Sequence, residues 1–380
     1  MRIAVLTTVH LALDARIFYK QAVSLAQAGH DVTLFAPWDP RADAVARRNG
    51  IAYVPLRNTG RGRFERPLRW LQLIRLLRGF QAEVWHFHDP ELLPLAILWK
   101  RLSARHVHLI YDIHEDVPKD VRNKRWIPAR LRKPVSVLAD WVEKWGMHQC
   151  LLVVAATDAL ARRAETSAQR VVTVHNYPLF SQQPPARRDN SSIHPVRVIH
   201  AGGLNEIRGI REMVQAMDEL RDCNVELFLL GNLYPASFEQ EIRRIAGDRV
   251  VIHDRVPFEQ VTGYLRSSDI GIACSHPDDR TVESLPVKLF ECMHAGLPVI
   301  ASDFPLWRSI IDGAGCGILV DPTDPQQIAA AVCKLANDPE LRRRMGEAGV
   351  RAVKEKYSWQ REEETLIGAY NSITSDPDQG

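Results

Sequence analysis

Two glutamates, Glu283 and Glu291, stand eight positions apart in this sequence of 380 residues, with Lys288 between them. Lys288 falls on the first turn of a short predicted helix, and the first N–H groups of a helix favour a phosphate or another anion. Glu291 lies inside the same apolar helix, where a lone buried carboxylate would be costly. The spacing indicates a phosphate site with carboxylates beside it. The alternative is a capped αβ unit with two solvated glutamates.

A helix and a strand are predicted to position these side chains. Ser284 is the expected N-cap of the helix, and Pro286 suits its first position because the missing N–H would have no intrahelical partner there. Gly296 is expected just past the helix end, and residues 299–301 form a buried parallel strand. Since α/β proteins build sites at the carboxyl ends of such strands, this unit is the centre of the predicted site.

Strand-like apolar runs alternate with helical patterns along the chain, which predicts an α/β protein with parallel sheets. Residues 179–195 are rich in Pro, Gln, Ser and Arg without periodicity, so we expect a linker there. The domains on either side would be residues 1–178 and 196–359. No G-x-G-x-x-G follows the first strand, so a dinucleotide cofactor is not supported.

The string Glu-x7-Glu with an internal Pro-x-Lys, followed by Gly-x-Pro-Val-Ile, resembles the signature of the retaining glycosyltransferases of family 4. The opening Asp-x-Arg-Ile and the string Tyr-Asp-x-His-Glu at 111–115 resemble the same family. The resemblance implies a GT-B fold, in which two Rossmann-like domains face each other across a cleft. It also implies that a C-terminal helix, residues 360–380, crosses back to the first domain.

The resemblance implies roles for individual residues. The helix end would hold the diphosphate of a nucleotide-sugar, Glu291 would take the ribose hydroxyls and Glu283 would lie by the donor sugar. His114 would reach that sugar from the first domain, so His114 and Glu283 are the expected catalytic residues. The expected donor-binding residues are Gly202, Gly203, Arg208, Ser284, Leu285, Lys288 and Glu291.

One residue departs from the family pattern, because Gly203 stands where an arginine is usual. The loop after the first strand, with His10 and Asp14, would line the acceptor side of the cleft. A helix N-cap explains Asp14 equally well. His86 and His88 are expected to join strand ends by hydrogen bonds.

The function implied by the resemblance is transfer of a hexosyl group from a nucleotide-sugar to a hydroxyl of a lipid-linked glycan acceptor, with retention of configuration. Surface polysaccharide synthesis, of lipopolysaccharide or exopolysaccharide, is the expected setting. We expect no cofactor besides the donor and no metal, because the six cysteines show no CxxC spacing and no convincing carboxylate pair is found. The alternatives are a nucleotide-sugar epimerase of the same fold and a catalytically idle sugar-binding or scaffold protein.

Charge is distributed unevenly along the chain. Residues 1–180 hold 27 Lys and Arg against 16 Asp and Glu, although the whole chain has a net charge of only +3. Two basic segments, 57–80 with Trp70 and 119–133 with Trp126, suit a membrane surface that carries anionic lipid. An ordinary solvated face is the alternative, and no nucleic-acid motif accompanies the charge. No run of about 18 apolar residues is present, so we expect a cytoplasmic protein, peripheral on the inner face of the plasma membrane.

Overall fold

The computed structural model describes residues 1–58, 65–102, 107–124, 127–179, 194–278 and 281–374. Most of the predicted linker (180–193) and Trp126 lie outside these ranges. Within the described ranges no helix is long and apolar enough to cross a membrane. The chain divides into two compact units, which are Met1–Asn176 with Trp359–Gly380, and Tyr177–Ser358.

The first unit is built on a seven-stranded sheet in which every pair of neighbouring strands is parallel. Its strands are β1 (Arg2–Leu6), β2 (Asp31–Pro37), β3 (Ala52–Leu56), β4 (Val84–Phe87), β5 (His108–Ile113), β6 (Leu152–Ala155) and β7 (Val171–Thr173). They are arranged in the order β3-β2-β1-β4-β5-β6-β7. A π-helical segment, Ala15–Ala22, leads into the first of the helices that cover the sheet. These helices are α1 (Val23–Gln27), α2 (Ala42–Arg48), α3 (Arg66–Gly79), α4 (Leu93–Leu102), α5 (Val117–Asn123), α6 (Ala129–His148) and α7 (Asp158–Glu165).

The second unit contains a six-stranded parallel sheet in the order β10-β9-β8-β11-β12-β13. Its strands are β8 (Val196–Ala201), β9 (Val225–Leu230), β10 (Val250–His253), β11 (Ile270–Ala273), β12 (Val299–Ser302) and β13 (Gly317–Val320). The helices are α8 (Ile210–Glu219), α9 (Ala236–Ile245), α10 (Phe258–Arg266), α11 (Val287–His294), α12 (Pro305–Ala314), α13 (Pro325–Asn337) and α14 (Pro339–Glu355). The two sheets confirm the predicted pair of Rossmann-like α/β folds.

Continuous apolar runs such as β4, β6 and β11 are buried at every position, as expected for parallel strands covered by helices on both faces. The strands that sequence patterns missed, β3 and β13, lie at sheet edges. Pro55 within β3 weakens its strand signal, and an edge strand can accommodate a proline because one side of its backbone needs no ladder hydrogen bond.

The last helix, α15 (Trp359–Thr374), belongs to the first unit, which confirms the predicted return of the chain. The Trp359 indole N–H donates to Ser24 Oγ at 2.9 Å, and Tyr370 is fully buried in the same core. Tyr177 packs edge-on against Phe290, with ring centroids 4.9 Å apart, and belongs to the second unit. The first unit ends at Asn176 and the second begins directly at Tyr177, whereas the sequence predicted a linker at 179–195 and a second domain from 196.

The basic segment 57–80 was expected to present its arginines to a membrane surface. One of them, Arg69, does not fit this expectation. Arg69 is only 6% exposed. Its guanidinium donates to Thr8 O at 2.6 Å and to the buried Glu65 carboxylate at 3.1 Å. The prediction that Arg69 adds to a membrane-facing charge was wrong, because in α3 it falls on the same side as the buried Leu73 and Leu77.

In each unit the strand order reverses between two adjacent strands, β1 and β4 in the first sheet and β8 and β11 in the second. Loops leave such a point in opposite directions and open a crevice at the carboxyl edge of the sheet, where α/β proteins bind ligands. The predicted site residues His10 and His114 follow β1 and β5, and Gly202 and Gly203 follow β8.

Candidate functional site

The helix α11 begins differently from the prediction. Its N-cap is Pro286, with no side-chain cap. Ser284, the predicted N-cap, lies in a turn, where its hydroxyl donates to Thr281 O at 3.1 Å and its carbonyl accepts from the Trp307 indole at 2.9 Å. That assignment was wrong because the turn already uses the hydroxyl. Gly296 ends the helix as predicted, with φ of +79°.

Lys288, on the first turn of α11, lies beside the glycine loop that follows β8. A methyl group on Gly202 would lie 3.2 Å from Lys288 Nζ, and Gly202 has φ of +137°, which side chains rarely allow. Lys288 Nζ is also 3.1 Å from Nε2 of the buried His200, at the end of β8. The structure therefore brings together the predicted lysine and the predicted glycine loop at one sheet edge.

Burial and a neighbouring positive charge dominate the environment of Lys288. His200 Nδ1 lies 3.0 Å from Ile272 O, which can only accept, so we place the ring proton on Nδ1 and let Nε2 accept from Lys288. Burial and then the lysine charge hold the pKa of His200 well below its usual range. Burial and then Arg208 lower the pKa of Lys288 to about 7. An anionic ligand would offset both effects, so this edge is suited to one.

Arg208 reaches the same edge from a short 3₁₀ turn, Glu206–Arg208, whose N-cap is Asn205. Its Nη1 donates to Ser275 Oγ at 3.4 Å. Ser275 follows β11, and its N–H donates to Ser302 Oγ, at the end of β12, at 2.7 Å. Polar groups from three adjacent strand ends, β8, β11 and β12, are thus linked around the guanidinium.

Gly203, where the family resemblance leads one to expect arginine, faces a tyrosine. A methyl group on Gly203 would lie 3.1 Å from Tyr234 Oη. Tyr234 follows β9, is 51% exposed, and its hydroxyl accepts from the side-chain amide of Asn205. The Tyr234 hydroxyl therefore lies beside Gly203, the position at which the family pattern has an arginine.

The remaining predicted donor residues lie on or just before α11. Glu291 is half-buried, and it opposes the depression of the pKa of Lys288, which burial dominates. Glu283 is exposed in the turn that precedes the helix. Leu285 packs against the hydrophobic cluster under the sheet, which gives it a packing role. The donor contacts of these three residues stay predictions.

In the first unit, the structure brings His114 and His10 together at the carboxyl edge. Their ring centroids are 4.9 Å apart. His114 Nε2 lies 2.9 Å from Asp112 Oδ2, and His10 Nε2 lies 3.5 Å from Asp89 Oδ1. Buried carboxylates therefore hold both histidines, and the loop after β1 is fastened by hydrogen bonds from Thr7 Oγ1 and the Thr8 backbone to Asp89.

Asp112 is the centre of this edge and is fully buried. Arg16 donates to both of its oxygens, from Nη2 at 2.7 Å and from Nε at 2.9 Å, and Gln21 donates at 2.8 Å. Burial alone would raise the pKa of Asp112, but Arg16 and then His114 outweigh it and hold that pKa well below its usual range. The ionised carboxylate fixes the orientation of His114.

Asp14 acts as a helix cap, since its Oδ1 accepts from the N–H groups of Arg16 at 2.8 Å and Ile17 at 3.0 Å. The structure thus favours the capping alternative, and a role of Asp14 towards an acceptor stays a prediction. His86 and His88 are both buried, and His88 joins two strand ends as predicted, whereas His86 bonds to the last helix instead. The hydroxyl oxygen of Tyr370 lies 2.7 Å from His86 Nδ1, and His88 Nδ1 lies 3.1 Å from Asp112 Oδ2.

Among the described residues, one group has the chemistry of metal ligands, namely His86, His88 and Asp112, whose ligand atoms lie within 4.8 Å of one another. Both oxygens of Asp112 are already bonded to Arg16, and the adjacent guanidinium would repel a cation. This donor set fits a hydrogen-bonded network better than a metal site. Metal-independent chemistry remains a prediction.

Sequence reasoning did not identify Arg16, Asp112 and His200 as parts of the site. Asp112 lies inside the string Tyr-Asp-x-His-Glu, two residues before His114, and His200 directly precedes the Ala-Gly-Gly loop. A polar residue at or next to a strand's carboxyl end is the signal that could have found Asp112 and His200. Arg16 could not be found in this way, because its partner is 96 positions distant.

Comparison with known proteins agrees with this architecture. A family model described as "Glycosyltransferase Family 4" matches residues 15–177, and one described as "Glycosyl transferases group 1" matches residues 195–338. The chain is 25% identical over 261 residues to an alpha-D-kanosaminyltransferase of Streptomyces kanamyceticus. The aligned region covers 62% of this chain and 64% of that relative, so the chain spans less than two thirds of the relative's length.

A second relative is the lipopolysaccharide core biosynthesis glycosyltransferase LpsD of Rhizobium meliloti, with 27% identity over 263 residues, 66% of this chain and 71% of LpsD. The crystal structure of Anabaena HepE in complex with UDP-glucose superimposes with a TM-score of 0.74 at 13% identity, over 98% of this chain and all of HepE. The structural likeness shows the fold alone. The two family models together match most of the chain, and the protein belongs to the family-4 glycosyltransferases of GT-B fold.

Proposed function

We propose that this protein transfers a hexosyl group from a nucleotide-diphosphate sugar to a hydroxyl group, with retention of anomeric configuration. The observation that carries the proposal is the position of Lys288 Nζ against Gly202, at the switch point of the second sheet, in surroundings that lower its pKa to about 7. A diphosphate placed over the glycine loop would meet that ammonium. HepE, which shares the fold, binds UDP-glucose in its crystal structure.

In this proposal the protein neutralises the departing diphosphate and orients both substrates. Lys288, Arg208 and the start of α11 supply positive charge where the leaving group's negative charge develops. Glu291 accepts hydrogen bonds from the ribose hydroxyls, and Glu283 and His114 contact the donor sugar. No side chain has to act as a buried nucleophile, because much of the rate enhancement can come from positioning and electrostatics.

The acceptor we propose is a lipid-linked glycan in surface polysaccharide synthesis at the inner face of the plasma membrane. The relative LpsD is named for lipopolysaccharide core biosynthesis, which supports this setting. The rival hypotheses, an epimerase of the same fold and an idle sugar-binding or scaffold protein, receive no support from the relatives described above.

A nucleotide screen tests the proposal. We expect UDP or another nucleoside diphosphate, and at least one of its sugar derivatives, to raise the thermal unfolding temperature of the full chain. Glu291→Ala should weaken nucleoside diphosphate binding by about 1.5–3 kcal/mol, since the ribose loses a charged acceptor. The matched control is Glu239→Ala, because Glu239 on α9 of the same unit is also a half-buried glutamate. Equal affinity of a folded Glu291→Ala protein would remove this residue from the site.

A further inference from the structure

The helix α6 (Ala129–His148) presents an apolar face to solvent. Six of its apolar side chains are more than a third exposed, and the largest value is 64%, at Trp141. These residues are Leu131, Val135, Val137, Leu138, Trp141 and Trp145. All but Val137 follow one helical stripe, with spacings of three or four residues. A contiguous exposed apolar face of this kind marks an interaction surface.

The opposite side of α6 is fixed to the first unit. Ser136 Oγ donates to Pro118 O at 2.8 Å, and the buried Glu143 accepts from Tyr111 Oη at 2.9 Å. Both acidic residues of the helix point to this inner side, where Asp140 and Glu143 accept from Arg163 at 2.9 and 2.6 Å. The outward stripe therefore carries no carboxylate, and its orientation is set by buried contacts.

Basic residues border the apolar stripe. Arg130 and Lys133 are exposed near the start of α6, and no carboxylate partner is found for either within the residues that the structure describes. On the neighbouring helix α4, Leu98 is 56% exposed, and the guanidinium of Arg101 lies 6.0 Å from the Trp145 ring centre. Apolar and tryptophan side chains with a basic margin and no exposed acid match an anionic bilayer surface.

We propose that the stripe of α6, with the adjoining end of α4, is the surface through which this protein inserts shallowly into a membrane containing anionic lipid. The tryptophans and leucines enter the headgroup region, and Arg130, Lys133 and Arg101 contact the lipid phosphates. This inference rests on the proposed action on a lipid-linked acceptor and adds the surface that meets the membrane. Vesicle binding tests it without enzymatic turnover.

Leu68 and Leu71 on α3 form a smaller exposed apolar pair in the same unit. These leucines are 48% and 54% exposed, but the tryptophan beside them, Trp70, is half-buried and donates to Glu91 at 3.3 Å. Arg69 on the same helix is buried and cannot contact lipid. The face of α3 therefore lacks both the exposed tryptophan and part of the charge that the sequence predicted.

Co-sedimentation of the full chain with vesicles tests the assignment. Vesicles of phosphatidylcholine containing one third phosphatidylglycerol should bind the protein, pure phosphatidylcholine should bind it at least tenfold less, and high salt should weaken the binding. Leu138→Glu with Trp141→Glu should reduce binding at least tenfold, because the substitutions put charge on the apolar stripe. The matched control, Leu68→Glu with Leu71→Glu, should bind like the unsubstituted protein.

UDP titration and thermal unfolding of the same variants separate this proposal from the proposed activity. Both variants should keep the UDP affinity and the unfolding temperature of the unsubstituted chain, since all four leucine and tryptophan positions are exposed. Loss of vesicle binding in the α3 pair with retention in the α6 pair would overturn the assignment. A concentration-dependent dimer that the α6 pair converts to a monomer would also overturn it, in favour of a second copy of the chain.

Discussion

The two sheets end in edges of opposite character. At the first edge, the buried Asp112 already has several partners. It accepts hydrogen bonds from Arg16 and Gln21 and contacts His88 and His114. At the second, an ammonium lies against a glycine loop, and His200, whose Nε2 is 3.1 Å from it, is held neutral. The first edge holds histidines in place, whereas the second leaves positive charge for a ligand to neutralise.

The difference shows that one architecture can carry two kinds of edge. Loops at a switch point provide a crevice in both units, but the side chains decide whether that crevice is rigid or able to take an anion. Three substitutions and one change of pH test this difference between the two edges.

The largest effect should follow Asp112→Asn, which leaves the buried guanidinium of Arg16 without its charged partner. The free energy of unfolding should fall by about 3–5 kcal/mol. Asp43→Asn is the control, because Asp43 forms an exposed pair with Arg47 and should contribute less than about 1 kcal/mol. Urea unfolding of both variants provides the measurement. Equal effects would show that Asp112 does not organise the first edge.

Lys288→Ala should act on binding instead of on folding. Loss of a charge-assisted contact to a diphosphate should weaken UDP binding by about 1.5–3 kcal/mol. The unfolding midpoint should fall far less than for Asp112→Asn, because the charge of a partly buried lysine is removed together with its contacts. Calorimetric titration tests this, with Lys334→Ala, an exposed lysine of α13, as the control. An unchanged affinity would separate Lys288 from the ligand.

The pH dependence of binding should identify the same lysine. Its pKa of about 7 in the free protein means that Lys288 loses its proton as the pH rises through that value. A diphosphate favours the protonated form, so affinity should fall by up to about tenfold per pH unit between pH 7 and 9. Lys288→Ala should flatten this profile. A steep profile that survives the substitution would assign the titration to another group.

The smallest effect should come from Tyr234→Phe. If the Tyr234 hydroxyl replaces the arginine that is usual at Gly203, its loss should weaken UDP binding by about 0.5–1.5 kcal/mol, the range of a neutral hydrogen bond. Tyr53→Phe, in the first unit, should leave the affinity unchanged although it also removes a hydrogen-bonded hydroxyl. Equal UDP affinities of the two variants would show that the Tyr234 hydroxyl does not replace the arginine that is usual at position 203.

Local patterns predicted α11, the end of that helix at Gly296 and most strands, because these features depend on neighbouring residues. The resemblance also selected Lys288 and Gly202, which the structure brings together. Ser284 and Arg69 were misassigned because a turn and a buried ion pair use them. Exposure of the α6 stripe could not be predicted, since the apolar side of a helix normally meets the core, whereas in α6 the polar Ser136 and Glu143 are buried.

We propose that the second edge binds a nucleotide-sugar and that positive side chains, without a metal, stabilise the departing diphosphate. Release of nucleoside diphosphate from a panel of nucleotide-sugars, measured in excess EDTA with and without glycan acceptors, tests it most directly. We expect release from at least one donor, unaffected by EDTA and strongly reduced in Lys288→Ala. Activity that EDTA abolishes and Mg²⁺ or Mn²⁺ restores, or release that is equal in Lys288→Ala, would contradict this account.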